Sequence, residues 1–240
     1  MIEREYISRK ERGEIMGVIL TAKNLQKIYG MGEVKVEAVK NISLEIEKGH
    51  FYAIIGKSGS GKSTLLHLLS GFDKPTKGTV KIGGENIHKM KDKRLSAMRR
   101  EKMGFVFQSY NLLPEFCVEE NIRMPLYLNR AKTDKGYIRS LMEKLGIYEL
   151  RLKFPSQLSG GEQQRAAIAR ALAARPDIVF ADEPTGNLDQ QSGGDVLRLL
   201  KMMKEEWGQT ILLVTHDMEI AQAADKVIEI RDGMVVGRGA

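Results

Sequence analysis

The 240-residue chain is poor in cysteine, in long apolar runs and in acid relative to base. Its single cysteine, Cys117, excludes an intrachain disulfide and fits a reducing compartment. No apolar run approaches the roughly 18–20 residues that cross a bilayer. The longest are short, such as 51–55 and 211–214. The opening MIEREYISRKERGE alternates acids and bases without an apolar stretch, which excludes a signal peptide and predicts a loose, solvated leader over 1–17. Internal repeats and low-complexity tracts are missing as well. Together these absences predict a cytoplasmic chain that reaches any membrane through a partner.

What is present points to one globular unit. Hydrophobic residues make up 42% and charged residues 29%, enough for one sizeable core and too much charge for a membrane chain. The length is too small for two full catalytic domains. The net charge of +7 favours acidic partners: nucleotide, nucleic acid or a lipid surface. Segment 89–102 supplies +5 of it, with seven Lys or Arg against Asp92 and Glu101. It reads as a solvated helix face, or as a contact for acidic lipid or an acidic partner.

Patterning predicts alternating strands and helices. Residues 18–48 are strand-like with a turn at 29–32, and Ile42, Leu44 and Ile46 alternate with polar residues as in a half-buried strand. Buried strands are predicted at 51–55, 104–107, 178–181 and 210–214, with an edge strand at 79–82 and a final pair near 226–230 and 234–236. Helices are predicted at 62–70, 161–174, 193–206 and 218–223. Between 109 and 157 strand signals fade. There 133–145 is amphipathic, with Ile138, Leu141, Met142 and Leu145 on one face and Thr133 or Asp134 as the cap. The pattern is a parallel sheet covered on both faces, interrupted by a helical insert.

Three motifs carry chemistry. Gly56-Lys57-Ser58-Gly59-Ser60-Gly61-Lys62-Ser63 matches the full phosphate-loop pattern between a buried strand and a helix. Its glycines let backbone N–H groups curl round an anion, Lys62 places a cation on the β- and γ-phosphates, and the Ser63 hydroxyl suits Mg²⁺. Ile178–Asp182 with Glu183 is an apolar strand ending in two carboxylates beside that crevice. Asp182 suits a metal-holding role. Glu183 points the other way on an extended chain and suits a general base holding the attacking water. Ser159-Gly160-Gly161-Glu162 opens a further helix, either as an ordinary N-cap or as a second anion-binding helix end. One triphosphate already has its cradle, so a surplus helix end suggests use by a second copy in a two-fold dimer.

Leu158-Ser159-Gly160-Gly161-Glu162 resembles the signature of the ATP-binding cassette (ABC) ATPases. The phosphate loop, Gln108 after a strand, the acidic strand, Asn187-Leu188-Asp189 and His216 after an apolar strand follow in that family's order, from about Val18 onward. The resemblance implies a P-loop NTPase α/β core with an antiparallel β subdomain and a helical subdomain over about 109–158, the core being 18–108 and 159–240. It implies an ATPase using ATP and Mg²⁺. Tyr29 would stack on adenine, and Lys57, Ser58 and Thr64 would join the phosphate-binding set. Gln108 would touch Mg²⁺ or the attacking water, His216 would contact the γ-phosphate and help place Glu183, and Asp189 would lie at the dimer interface. His50, His67 and His88 show no metal-ligand spacing and receive no chemistry.

The stretches 104–114, 120–122 and 181–189 are similar to the macrolide-exporter and lipoprotein-release group, which also holds antimicrobial-peptide resistance and cell-division ATPases. That implies a separate permease with a large extracytoplasmic domain at the inner face of the membrane, contacted through about 107–127, and a role in peptide or drug export. Lipoprotein release and cell division are the alternatives within the group. A non-transport ABC ATPase on DNA or the ribosome is disfavoured, because no heptad run lies between the phosphate loop and the signature and a single cassette fills the chain, so no nucleic-acid partner is expected. An inactive regulatory cassette is disfavoured because each catalytic position holds a competent residue.

Overall fold

A computed structural model describes residues 17–31 and 34–239. The expected leader, apart from Gly17, lies outside the described residues, as does Gly32 of the expected turn. The strands are β1 (Val18–Met31), β2 (Val34–Glu47), β3 (Phe51–Ile55), β4 (Lys77–Ile82), β5 (Glu85–Asn86), β6 (Met103–Phe107), β7 (Ile178–Asp182), β8 (Thr210–Val214), β9 (Lys226–Arg231) and β10 (Met234–Gly239). The helices are α1 (Lys62–Ser70), α2 (Asp92–Lys102), α3 (Val118–Leu128), α4 (Lys135–Lys144), α5 (Gly160–Leu172), α6 (Gln190–Trp207) and α7 (Met218–Gln222).

The strands form two sheets. One is four-stranded and antiparallel, in the order β2-β1-β4-β5, and the other is six-stranded, in the order β10-β9-β3-β8-β7-β6. In the larger sheet only the β9–β10 pair is antiparallel. Its central strands are apolar because both faces are covered: β3, β7 and β8 are buried nearly throughout. A consequence follows for function. The chain leaves β3 for the phosphate loop, β6 for Gln108, β7 for Glu183 and β8 for His216, all at the same end of one parallel sheet.

Two expectations need correction. The strand at 79–82 is not an edge. β4 starts at Lys77 and lies between β1 and the two-residue β5. Gly83 and Gly84, both left-handed, fold the chain back so that Glu85 and Asn86 pair with Ile82 and Lys81. The helix expected at 193–206 begins at Gln190, because the Asp189 carboxylate accepts from Ser192 N–H and starts it earlier. That helix, α6, buries Val196, Leu200 and Met203 on one face, each burial worth about 1.5–3 kcal/mol.

Between residues 109 and 157 the described elements are helices: α3, α4 and short 3₁₀ turns at Tyr148–Leu150 and Pro155–Gln157. Asp134, not Thr133, caps α4, accepting from Tyr137 N–H at 3.0 Å. Their apolar faces join Val106, Ala166, Val179 and Leu213 in one of the two core clusters, so these helices share a core with the larger sheet. Among the described residues no helix is long and apolar enough to cross a membrane.

Candidate active site

The phosphate loop joins β3 to α1. Gly61 is left-handed at φ +102°, and a Cβ there would run into the Ala38 carbonyl of β2. The glycine is therefore required by the backbone close behind the loop as well as by any anion in front of it. Lys62 is buried, at 6% exposure, and its Nζ donates to the Gly56 and Lys57 carbonyls at 2.9 Å each. A burial this deep is tolerable for an ammonium only because those oxygens replace water. Tyr29 is exposed, and its hydroxyl donates at 2.7 Å to Oδ2 of Asp73, just beyond the end of α1. Burial and the Asp73 bond push the phenol pKa up, against a hydrogen bond with Thr64. Burial works to raise the Asp73 pKa, but bonds from Lys27 and Tyr29 outweigh it and hold it below the usual range.

At the end of β7, Ser63 Oγ donates to Asp182 Oδ1 at 3.1 Å. Burial raises the Asp182 pKa, with the Ser63 bond and the nearby His67 working the other way. His67, whose spacing in the sequence suggests no metal ligand, lies with Nε2 3.7 Å from Asp182 Oδ2. The hydroxyl and carboxylate oxygens form a hard donor pair, the set that suits Mg²⁺ rather than a soft metal. Glu183 takes a left-handed backbone, φ +45°, after the extended strand, and its N–H is tied to the Val214 carbonyl at 2.9 Å. Glu183 Oε2 lies 3.1 Å from His216 Nδ1, across from the end of β8. A proton on Nδ1 would donate to the carboxylate and fix both groups.

The signature helix end forms a complete capping box. Glu162 N–H donates to Ser159 Oγ at 3.3 Å, and Ser159 N–H donates to Glu162 Oε2 at 2.7 Å. The Ser159 N–H bond holds the Glu162 pKa below the usual range. Ser159 is exposed. Among the described residues no hydrogen bond or ion pair joins 159–162 to the phosphate loop of the same chain. Gly160 and Gly161 instead lie against Tyr110, Leu188 and Ser192, where added Cβ atoms would crowd them.

Gln108 does not reach the Ser63–Asp182 pair here. Its Nε2 donates to Asn187 Oδ1 at 3.1 Å, and Asn187 Nδ2 donates back to the Gln108 carbonyl at 3.0 Å. Asp189 caps α6, with Ser192 donating twice, and the Ser192 N–H bond lowers its pKa.

Sequence reading missed three side chains that brace these segments. Gln164 bonds Pro184 from within α5. Asn121 is fully buried and clamps Leu113, Phe116 and Cys117. Arg170 holds the Tyr110 and Asn111 carbonyls, where both residues are left-handed, and burial lowers its pKa. Their partners are backbone groups, which leave no residue-type pattern to find.

Comparison with known proteins agrees with this geometry. The ABC transporter family profile matches residues 39–186. The bacitracin export ATP-binding protein BceA of Halalkalibacterium halodurans is 44% identical over 219 residues, 90% of this chain and 87% of that one. The lipoprotein-releasing system ATP-binding protein LolD of Acinetobacter baylyi is 43% identical over 223 residues, 91% of this chain and 97% of that one. The dimeric cassette MJ0796 of Methanocaldococcus jannaschii, solved with ADP and Pi, superposes with a TM-score of 0.83 at 41% identity, covering 92% of this chain and 97% of that one. The ordered motifs on one sheet end, the family profile and these relatives agree: the chain belongs to the ABC transporter family of ATP-binding cassette ATPases.

Proposed function

We propose that two copies of the chain close around two ATP molecules, each held between the phosphate loop of one copy and Ser159–Gly161 of the other, and that this closure drives a separate permease. The observation that carries this reading is the separation of the two anion-binding helix ends. The phosphate loop meets the acidic strand through Ser63–Asp182, while among the described residues the exposed Ser159 end makes no hydrogen bond to that loop. A second copy would bring the two together over one phosphate.

Within that arrangement Glu183 takes the proton of the water that attacks the γ-phosphate, and His216 at 3.1 Å orients the carboxylate. Lys62 and the opposing Ser159 hydroxyl and Gly161 N–H stabilise the charge that develops on the phosphoryl oxygens. Tyr29 stacks on the adenine, and Gly56 to Thr64 wrap the phosphates. The oxygen donors of Ser63 and Asp182 fit Mg²⁺, which when bound neutralises phosphate charge. Gln108 joins that set by turning away from Asn187.

The helical region, about 109–158, passes the closure to the permease. A cleft of about 440 Å³ between α2, β6, α3 and α5, lined by Phe72, Arg99, Arg100, Phe105, Phe107 and Leu128, supports a contact beginning at 107. The chain would then sit at the inner face of the membrane, bound to a permease with a large extracytoplasmic domain. Similarity to BceA favours peptide or drug export. Similarity to LolD supports lipoprotein release as the second reading. The basic segment gives a nucleic-acid role little support, since Arg94, Arg99, Arg100 and Lys102 of its seven cations are engaged within the chain.

The experiment is Glu183→Gln. ATP binding is retained and turnover falls roughly 10²–10⁴-fold, the share typical of a general base. Hydrolysis at the parent rate would remove Glu183 from the assigned role.

A further inference from the structure

Gln164 lies near the start of α5 and is fully buried. Its Nε2 donates to the Pro184 carbonyl at 2.6 Å, and its Oε1 has no hydrogen-bond partner among the described residues. A carbonyl only accepts, so the amide nitrogen must face Pro184 and the oxygen is the atom left over. Packing alone does not select such a residue. A methionine of similar length would fill the space without stranding Oε1, and what it could not do is donate to the Pro184 carbonyl.

The bond's location explains the amide better. Pro184 directly follows Glu183, whose left-handed backbone sets the aim of its carboxylate. Proline has no N–H, so its carbonyl is the main-chain group by which this residue can be held. The Glu183 N–H is bonded to Val214 on one side, and Gln164 grips the Pro184 carbonyl on the other. The same helix begins at the Ser159 cap and sets its first glycines against Leu188 and Ser192. One helix thus reaches both the anion-binding end and the turn that carries the catalytic carboxylate.

We infer that Gln164 is a positioning residue for hydrolysis: its amide fixes the Pro184 carbonyl, and with it the aim of Glu183, to the start of α5. Seating a phosphate of the opposing copy on Ser159–Gly161 is thereby transmitted to this copy's Glu183. The inference rests on the two-copy reading proposed above.

The test is Gln164→Met, read in two ways: steady-state ATP turnover in the otherwise unaltered chain, and ATP-driven dimerisation by sedimentation in the Glu183→Gln background. The expected result is a split, with kcat down about tenfold while KM for ATP and the dimerisation constant stay within about twofold. The melting temperature should stay within about 3 °C of the parent, and Gln164→Leu should repeat the split. Unchanged kcat overturns the inference. So does a parallel loss of kcat, dimerisation and melting temperature, which would make Gln164 an ordinary structural residue. If Glu183→Gln alone does not dimerise with ATP, the two-copy reading falls and takes this inference with it. If it dimerises and Gln164→Met turns over at the parent rate, this inference alone falls.

Discussion

Asn121 shows how much a single residue can hold in this fold. Its buried amide accepts from Leu113 N–H at 2.7 Å and donates to the Leu113, Phe116 and Cys117 carbonyls at 3.0, 2.8 and 3.1 Å. Removing it takes away the partner of the Leu113 N–H and of the Phe116 carbonyl, whereas the Leu113 and Cys117 carbonyls keep the Phe116 and Asn121 N–H groups. Asn121→Ala should destabilise the chain by about 2–4 kcal/mol in urea melts, and a loss under about 0.5 kcal/mol would show the loop closing without it. The chemical residues were legible one by one. Lys62, Ser63, Asp182 and Glu183 are unusual types at fixed offsets from apolar strands; the bonds Ser63–Asp182 and Glu183–His216 join elements far apart in sequence, and only the family resemblance pairs His216 with Glu183 beforehand. His67, Gln164 and Arg170 were not legible. His67 falls beside Asp182 only because α1 packs against β7, and the other two bond to backbone.

At the scale of elements, most strands were readable because covering both faces forces continuous apolar runs. Helix starts were harder. Gly193 and Gly194 lie inside α6, where glycine is a poor helix former, and the true start depends on the Asp189 side chain. That cap is testable apart from any interface role. Asp189→Ala should lower the melting temperature of the nucleotide-free chain by about 2–4 °C, while Asp189→Asn, also a good cap, should leave it nearly unchanged. The Asp189 pKa is lowered by the Ser192 N–H bond. Its charge therefore contributes to stability above the unfolded carboxylate value, and that contribution fades as pH falls through the depressed one. Equal melting of parent and Asp189→Ala at neutral pH would contradict the cap. The short edge strand β5 was hidden for another reason. Its two residues pair through a double-glycine turn, and alternation has nothing to act on over so short a span.

For the whole molecule, an α/β core with a helical insert was readable, whereas the order β10-β9-β3-β8-β7-β6 was not, since strand neighbours far apart in sequence are chosen by packing. The dimer was suggested by counting phosphate-binding helix ends against phosphates; among the described residues Ser159 is exposed and makes no hydrogen bond to its own loop. Sedimentation of the Glu183→Gln chain with ATP, alone and combined with Ser159→Glu, tests this most directly. The first should run at twice the 26.9 kDa chain mass with one nucleotide per chain. The second should keep its nucleotide yet run at the mass of a single chain, because a carboxylate at that helix end repels the opposing γ-phosphate. A nucleotide-saturated first variant that stays at single-chain mass, or a second that dimerises as readily as the first, would contradict the shared site.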